Sequence, residues 1–328
     1  MLTIVLLLLS ICLTFLSLMI GPSDISVLAS FSALFGGGLE VDRVIMWELR
    51  MPRTLLAFLI GATLAMSGAA MQGLMRNPLA SPSLLGSTNF AALGAVIAIF
   101  FFSANKQPIF VTLAAIFMSL FSAFLLFRIS GRDSRVITLL LAGLALSSLA
   151  SALVALALNL SPNAFAIAEI AFWLLGSLSN RTNTDVLLAC PFMLISWVIL
   201  IIYRRALLAM TLGEEVAQTL GVSVRAAKIW MAVAVALGVG AAVSVSGVIG
   251  FIGLVVPHII RPFVRYDPAR LLIPSALAGA CLLLTADCLV RLIPSSTELK
   301  LGVITALIAV PFFLYLVLRE RQGRPAFV

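Results

Sequence analysis

Charge is scarce in this sequence, and histidine is nearly missing. Of its 328 residues 10% are charged, one is a histidine, and 62% are hydrophobic. Soluble domains carry about 25% charged residues, so this balance excludes an ordinary water-surrounded globule and points to an integral membrane protein. A lone His258 excludes a histidine-built metal centre. Cys12, Cys190, Cys281 and Cys288 show no metal-type spacing either, and they read as small packing residues. No GxxxxGK[ST] phosphate loop occurs, so the chain has no such route to ATP. Asp287 is the one acidic residue well inside an apolar run, too little for an ion-driven carboxylate relay. The chain also offers no nucleophile–base pair, which argues against an enzyme.

What is present is a series of long apolar runs. Ten candidate membrane spans lie near 2–20, 51–73, 88–104, 109–129, 136–160, 186–203, 229–250, 251–266, 271–293 and 300–318. The first carries no charge and has neither a basic leader region nor a small-residue cleavage site, so it reads as a retained span. The third and eighth are short for a hydrocarbon core of about 30 Å. Such short helices are expected inside the bundle, where protein or a polar cavity surrounds them.

The net charge of +8 does not signal a nucleic-acid partner, because the basic residues are scattered in loops between spans. With the N-terminus inside, 14 of the 21 Lys and Arg residues fall in inside loops, among them Arg128, Arg132, Arg135, Arg225, Lys228 and Arg324. The outside keeps Arg43, Arg50, Arg53, Lys106, Arg181, Arg291 and Lys300. Positive residues favour the cytoplasmic side, so both termini are expected there. An internal echo links GATLAMSGAAMQGLMRNP (61–78) to GAAVSVSGVIGFIGLVVP (240–257) at an offset of 179 residues. Spans two and seven run in opposite directions, the pattern of an inverted repeat, although small residues at helix contacts also give such matches.

One polar stretch, TLGEEVAQTLGVSVRAAK (211–228), interrupts the apolar pattern on the inside. Thr211 and Glu214 fit a capping box, and Leu212, Val216 and Leu220 recur every four residues as an apolar stripe. Gly221 is placed to stop the helix, and Ser223 to cap the next one. The pattern suits either a solvated loop helix or a docking element for a cytoplasmic partner.

The segments RMPRTLLAFLIGATLAMSGAAMQGLMRNPLASPSLLG (50–86), LGEEVAQTLGV (212–222), SGVIGFIGLVVPHIIR (246–261), LLIPSALAGACLLLTADCLVR (271–291) and ELKLGVITALIAVPFFLYL (298–316) occur in this order. Together they resemble the FecCD-type permeases of ATP-binding-cassette importers for iron siderophores, haem and cobalamin. The resemblance implies an all-α membrane protein with about ten transmembrane helices and short cytoplasmic coupling helices, in one domain over 1–328. It implies a second permease subunit (a copy or a paralogue), two cytoplasmic ATPase subunits that use the ATP, and a periplasmic or surface-tethered substrate-binding protein. No cofactor is expected on this chain. The expected cargo is a metal chelate crossing the bacterial inner membrane, with ferric siderophore as the leading expectation and haem, cobalamin or molybdate as alternatives. Arg265, Pro268, Lys300, Phe90 and Ala309 depart from the family pattern.

The resemblance also assigns roles. Leu212, Gly213, Glu214, Glu215, Ala217, Leu220 and Gly221 correspond to the ATPase-coupling segment. Arg50, Arg53 and Arg291 correspond to positions that receive carboxylates of the binding protein. Cations at the start of span two oppose the helix dipole, so stability gives no reason for Arg50 and Arg53. Val136 and Ile137 begin span five, where apolar side chains suit a hydrophobic gate. Asp287 and Arg291, four apart on one helix face, are expected to pair. Gln72 and Asn77 are expected in helix–helix hydrogen bonds. Met66, Met71 and Met75 are expected to be packing residues.

Overall fold

A computed structural model describes residues 1–21, 25–102, 108–131, 136–161, 164–293 and 298–321. Lys106, Arg132, Arg135 and Arg324 lie outside the described residues. All regular structure among the described residues is helical. Seven helices are long and apolar enough to cross a membrane. They are α1 (Leu2–Met19), the run ending in α4 (Met51–Leu74), α6 (Pro108–Ser130), α7 (Val136–Asn159), α9 (Asn183–Met210), α11 (Val224–Ser246) and α13 (Pro268–Leu292). Shorter apolar helices α5 (Ser87–Phe102), α12 (Ile252–Ile260) and α14 (Leu301–Arg321) complete the ten expected segments. Short helices α2 (Val27–Leu34), α3 (Glu40–Val44), α8 (Ala164–Leu174) and α10 (Glu214–Thr219) lie between them.

The packing is that of a protein surrounded by lipid. In α1 the buried residues are Ser10, Ser17 and Leu18, whereas Ile4, Leu8 and Phe15 are exposed. Without water there is no hydrophobic drive to bury leucine, and small or hydroxylated residues mediate helix contact instead. The centre of the bundle follows the same rule: α4 and α11 are buried along most of their length and are rich in Ala, Gly and Ser.

The echo between 61–78 and 240–257 has a structural counterpart. Gly61 on α4 and Gly240 on α11 are 179 residues apart, and each meets the fourth of the five spans in the other half. A Cβ on Gly61 would fall 2.4 Å from the Gly279 carbonyl oxygen on α13, and one on Gly240 would fall 3.0 Å from Ile116 Cα on α6. Each central helix is followed by a short one, α4 by α5 and α11 by α12. The crossover is tight, since a Cβ on Gly68 of α4 would fall 1.8 Å from the Gly253 carbonyl oxygen of α12.

Two span boundaries move. The second span does not begin near 51, because α3, a π-helical stretch (Ile45–Arg50) and α4 form one helical run from Glu40 to Leu74. The eighth span holds only nine α-helical residues, extended by a 3₁₀ turn over Arg261–Val264. Its first turn meets the middle of α4: a Cβ on Gly253 would fall 2.7 Å from the Leu64 carbonyl oxygen and 3.2 Å from Pro82 Cδ. The α5 side is similar, because Gly86 and Ser83, just before α5, touch Leu146 and Ser147 midway along α7. Both short helices therefore start in the middle of the bundle. Short helices that begin inside the bundle are tolerated where protein or a cavity receives their free backbone groups.

Candidate functional site

The predicted site residues fall at opposite ends of the bundle. At one end Asp287 is fully buried between two arginines. Arg53 donates to it through Nε (2.9 Å) and Nη2 (2.7 Å), and Arg291 Nη2 pairs with its other oxygen at 2.8 Å. The expected Asp287–Arg291 pair is present, and Arg53 adds a third member from another helix. Arg53 also donates to Glu298, whose second oxygen accepts from Ser179 Oγ. Glu298 thus ties the segment before α14 to α4 and to the loop after α8. It stands first in the ELKLG segment, but nothing in its local pattern announces a partner 245 residues away.

Arg50 and Arg291 converge on the last turn of α1. Arg50 Nη1 donates to the Leu18 and Met19 carbonyls (3.0 and 3.3 Å) and to Ser30 Oγ (3.0 Å). Arg291 Nη1 donates to the Ser17 and Ile20 carbonyls (2.8 and 2.6 Å), and its Nη2 to Ser17 Oγ (2.5 Å). This corrects the expectation that stability gives no reason for Arg50 and Arg53. The helical run continues upstream of Pro52, so they do not face free amides at its start. Arg50 and Arg291 cap the carbonyl end of α1, where a cation is favourable, and Arg53 neutralises Asp287. Of the three, Arg53 has the most accessible side chain, at 11%, against 2% for Arg291; Arg50 is 4% exposed as a residue.

At the other end α10 projects from the bundle. Leu212 (63% exposed), Val216 (44%) and Leu220 (61%) turn outward, while Ala217 is fully buried. The stop at Gly221 (φ +82°) is as expected. Its amide donates to the Gln218 carbonyl (2.9 Å) and that of Val222 to the Ala217 carbonyl (3.0 Å), a Schellman turn that needs a left-handed residue at 221. The expected capping box is absent. The helix starts at Glu214 with Gly213 as N-cap, so Thr211 lies too far upstream, and its hydroxyl donates to the Leu208 carbonyl (2.7 Å) instead. Ser223 stands at the N-cap of α11, but its side chain makes no capping bond. Glu214 accepts from Lys228 Nζ at 2.6 Å, pinning α10 to α11. Glu215 is exposed at a cavity of about 730 Å³ between α6, α10 and α11. That cavity, with Phe124, Arg128 and Arg225 in its wall, was not legible in the sequence.

The remaining residues divide. Val136 packs against the core at the start of α7, and Ile137 is 69% exposed. Gln72 links helices, donating to the Leu254 carbonyl (3.1 Å) and accepting from Arg261 Nη2 (2.5 Å). Asn77 does not: its Oδ1 accepts from the Leu79 amide (2.9 Å) in a local turn, because it lies beyond the end of α4. Met66, Met71 and Met75 are buried in the core. His258 packs edge-on against Phe312, ring centroids 5.7 Å apart.

A bundle with two short helices that start at its centre, a pinned outward helix and no phosphate loop can be compared with known proteins as a whole. A profile of the FecCD transport family matches residues 6–319. The hemin transport system permease protein HmuU of Yersinia pestis is 39% identical over 313 residues, covering 94% of this chain and 93% of that protein. The cobalamin import system permease protein BtuC of Halobacterium salinarum is 40% identical over 290 residues, covering 87% and 76%. A solved metal-chelate-type ABC transporter in an inward-facing conformation superposes with a TM-score of 0.86 at 31% identity, covering 97% of this chain and 98% of that one. The expected all-helical permease fold is therefore present, and the chain belongs to the FecCD transport family as a multi-pass permease of the ABC type rather than an enzyme.

Proposed function

We propose that this chain is the membrane subunit of an importer that moves a metal chelate across the bacterial cytoplasmic membrane. It pairs with a second permease subunit, and its α10 end and both termini lie in the cytoplasm. The observation that carries the reading is the outward stripe of Leu212, Val216 and Leu220 on a helix anchored to the bundle. An apolar stripe turned away from its own core is unfavourable in water and suits contact with another protein. Two ATPase subunits seated there drive the cycle by closing on ATP. The Schellman turn and the Glu214–Lys228 pair pass the push to α11, which packs on α4, α5, α6 and α9. A binding protein delivers the chelate at the arginine end. Arg53 is the docking residue best placed to receive its carboxylates, since Arg50 and Arg291 hold the end of α1. Val136 and Ile137 form part of the gate at the start of α7.

The cargo is a chelate of the haem, cobalamin or ferric-siderophore class. The relatives named for hemin and cobalamin give the first two at least as much support as the siderophore. The test is uptake of haemin, cyanocobalamin and a ferric hydroxamate into vesicles holding the chain with its neighbouring ATPase and binding protein. ATP-dependent uptake of one of the three is expected. Absence of all three would remove the chelate reading.

A further inference from the structure

The middle of the bundle holds a small cavity where α5 and α12 both begin. Its volume is about 230 Å³, and Ser81, Ser83, Thr88 and Asn89 from one break and Gly250 and Phe251 from the other line it. The first amides of an α-helix have no acceptor within the helix, and aligned peptide dipoles place a partial positive charge there. Two such starts from opposite halves of the chain converge on this cavity. Neither is closed by a side-chain cap. Phe251, the N-cap of α12, makes no side-chain capping bond, and Gly86 before α5 has no side chain to give.

A second observation concerns Thr88. It is 9% exposed, lines the cavity, and its hydroxyl forms no hydrogen bond with any described residue. Its neighbours are occupied: Ser81 Oγ and Ser83 Oγ share a 2.8 Å bond, and Asn89 Nδ2 donates to the Ser147 carbonyl and to Ser151 Oγ, each at 3.3 Å. No acidic or basic side chain lines the cavity. It therefore offers a free hydroxyl and the first amides of α5, with no fixed counter-charge; at α12 the Gly253 amide remains, because those of Ile252 and Leu254 already donate to the Gly250 and Phe251 carbonyls (2.8 and 2.9 Å).

We infer that this cavity is a weak oxyanion site that takes a carboxylate arm of the chelate in transit. The inference rests on the transport reading above for the identity of the passing ligand. Helix starts in broken membrane helices suit anionic groups. A cavity of this size holds one arm of a chelate rather than its ring system. The lack of an arginine or lysine keeps the interaction weak, as a site along a path requires if the ligand is to leave again.

The test uses the full chain in lipid nanodiscs with benzoate as probe and benzamide as its uncharged counterpart. Benzoate is expected to raise the melting temperature in a dose-dependent way, and benzamide is not. Thr88→Asp places a carboxylate in the cavity and should abolish the benzoate effect. Thr88→Val keeps the shape and should weaken benzoate at least threefold, which keeps the test open if the Asp variant does not fold. Equal responses to benzoate and benzamide, or unchanged benzoate binding in Thr88→Val, would overturn the site. A separate arm compares uptake of haemin with its dimethyl ester by the assembled importer. Uptake of haemin that Thr88→Val slows, with no change for the ester, extends the site to transport. Equal slowing of both counts against a carboxylate role. Benzoate binding without uptake of any chelate counts against the transport reading and leaves the oxyanion site standing.

Discussion

At one end of the bundle Arg53, Arg291, Asp287 and Glu298 satisfy one another inside the protein; at the other a six-residue helix turns Leu212, Val216 and Leu220 outward. The first arrangement is a structural clamp. It joins α1, α4, α13 and the segment before α14 through charge pairs that are costly to break singly. The second is the reverse, a surface whose apolar side chains gain nothing from their own chain. A partner would therefore alter the α10 end more than the clamp. Docking at the clamp would have to exchange one carboxylate for another, whereas docking on α10 would cover side chains that are uncovered in the chain alone.

The contrast breaks most visibly at Asp287. Asp287→Ala leaves Arg53 and Arg291 buried without their shared carboxylate, and removing one partner of a buried pair costs about 3–5 kcal/mol. Thermal unfolding in nanodiscs should show that loss; a variant as stable as the parent would mean that the pair is not a clamp. A smaller effect is expected at Glu298, which lies outside the membrane helices. Burial pushes its pKa up, but the hydrogen bonds from Arg53 and Ser179 and the charges of Arg53 and Lys300 outweigh this and hold it below the usual 4.5. A carboxyl held low in the folded chain contributes stability at neutral pH and loses it as pH falls through the folded value. Glu298→Gln should cost about 1 kcal/mol or less at pH 7, given its partial exposure. The gap between parent and variant should close on acidification below 4.5. A gap that widens in acid would contradict the assignment.

How much of this was legible in the sequence follows from the range of each interaction. Hydropathy marked the spans because an unbroken apolar run has few other uses. The end of α10 was legible because Gly221 acts within its own turn. The start of α10 was misread: Thr211 and Glu214 have the spacing of a capping box, but the chain turns at Gly213 instead. The starts of α5 and α12 were legible, expected near 88 and 251 and found at Ser87 and Ile252, but their depth in the bundle was hidden, because hydropathy does not register backbone direction. Short helices were expected, but not that both begin at the centre. The partners of Arg50 and Arg53 lie 32 and 234 residues away, so periodicity carried no trace of them. The Asp287–Arg291 pair, one helical turn apart, was visible for that reason.

The smallest expected change in stability goes with the largest expected change in function. A Gly-Ser pair inserted after Gly221 lengthens the Schellman turn at the exposed end of the bundle and leaves the buried clamp untouched. In the importer reconstituted with its ATPase and binding protein, assembly and ATP hydrolysis should persist while chelate uptake falls to background. Uptake at the parental rate would contradict the claim that energy enters the permease through α10.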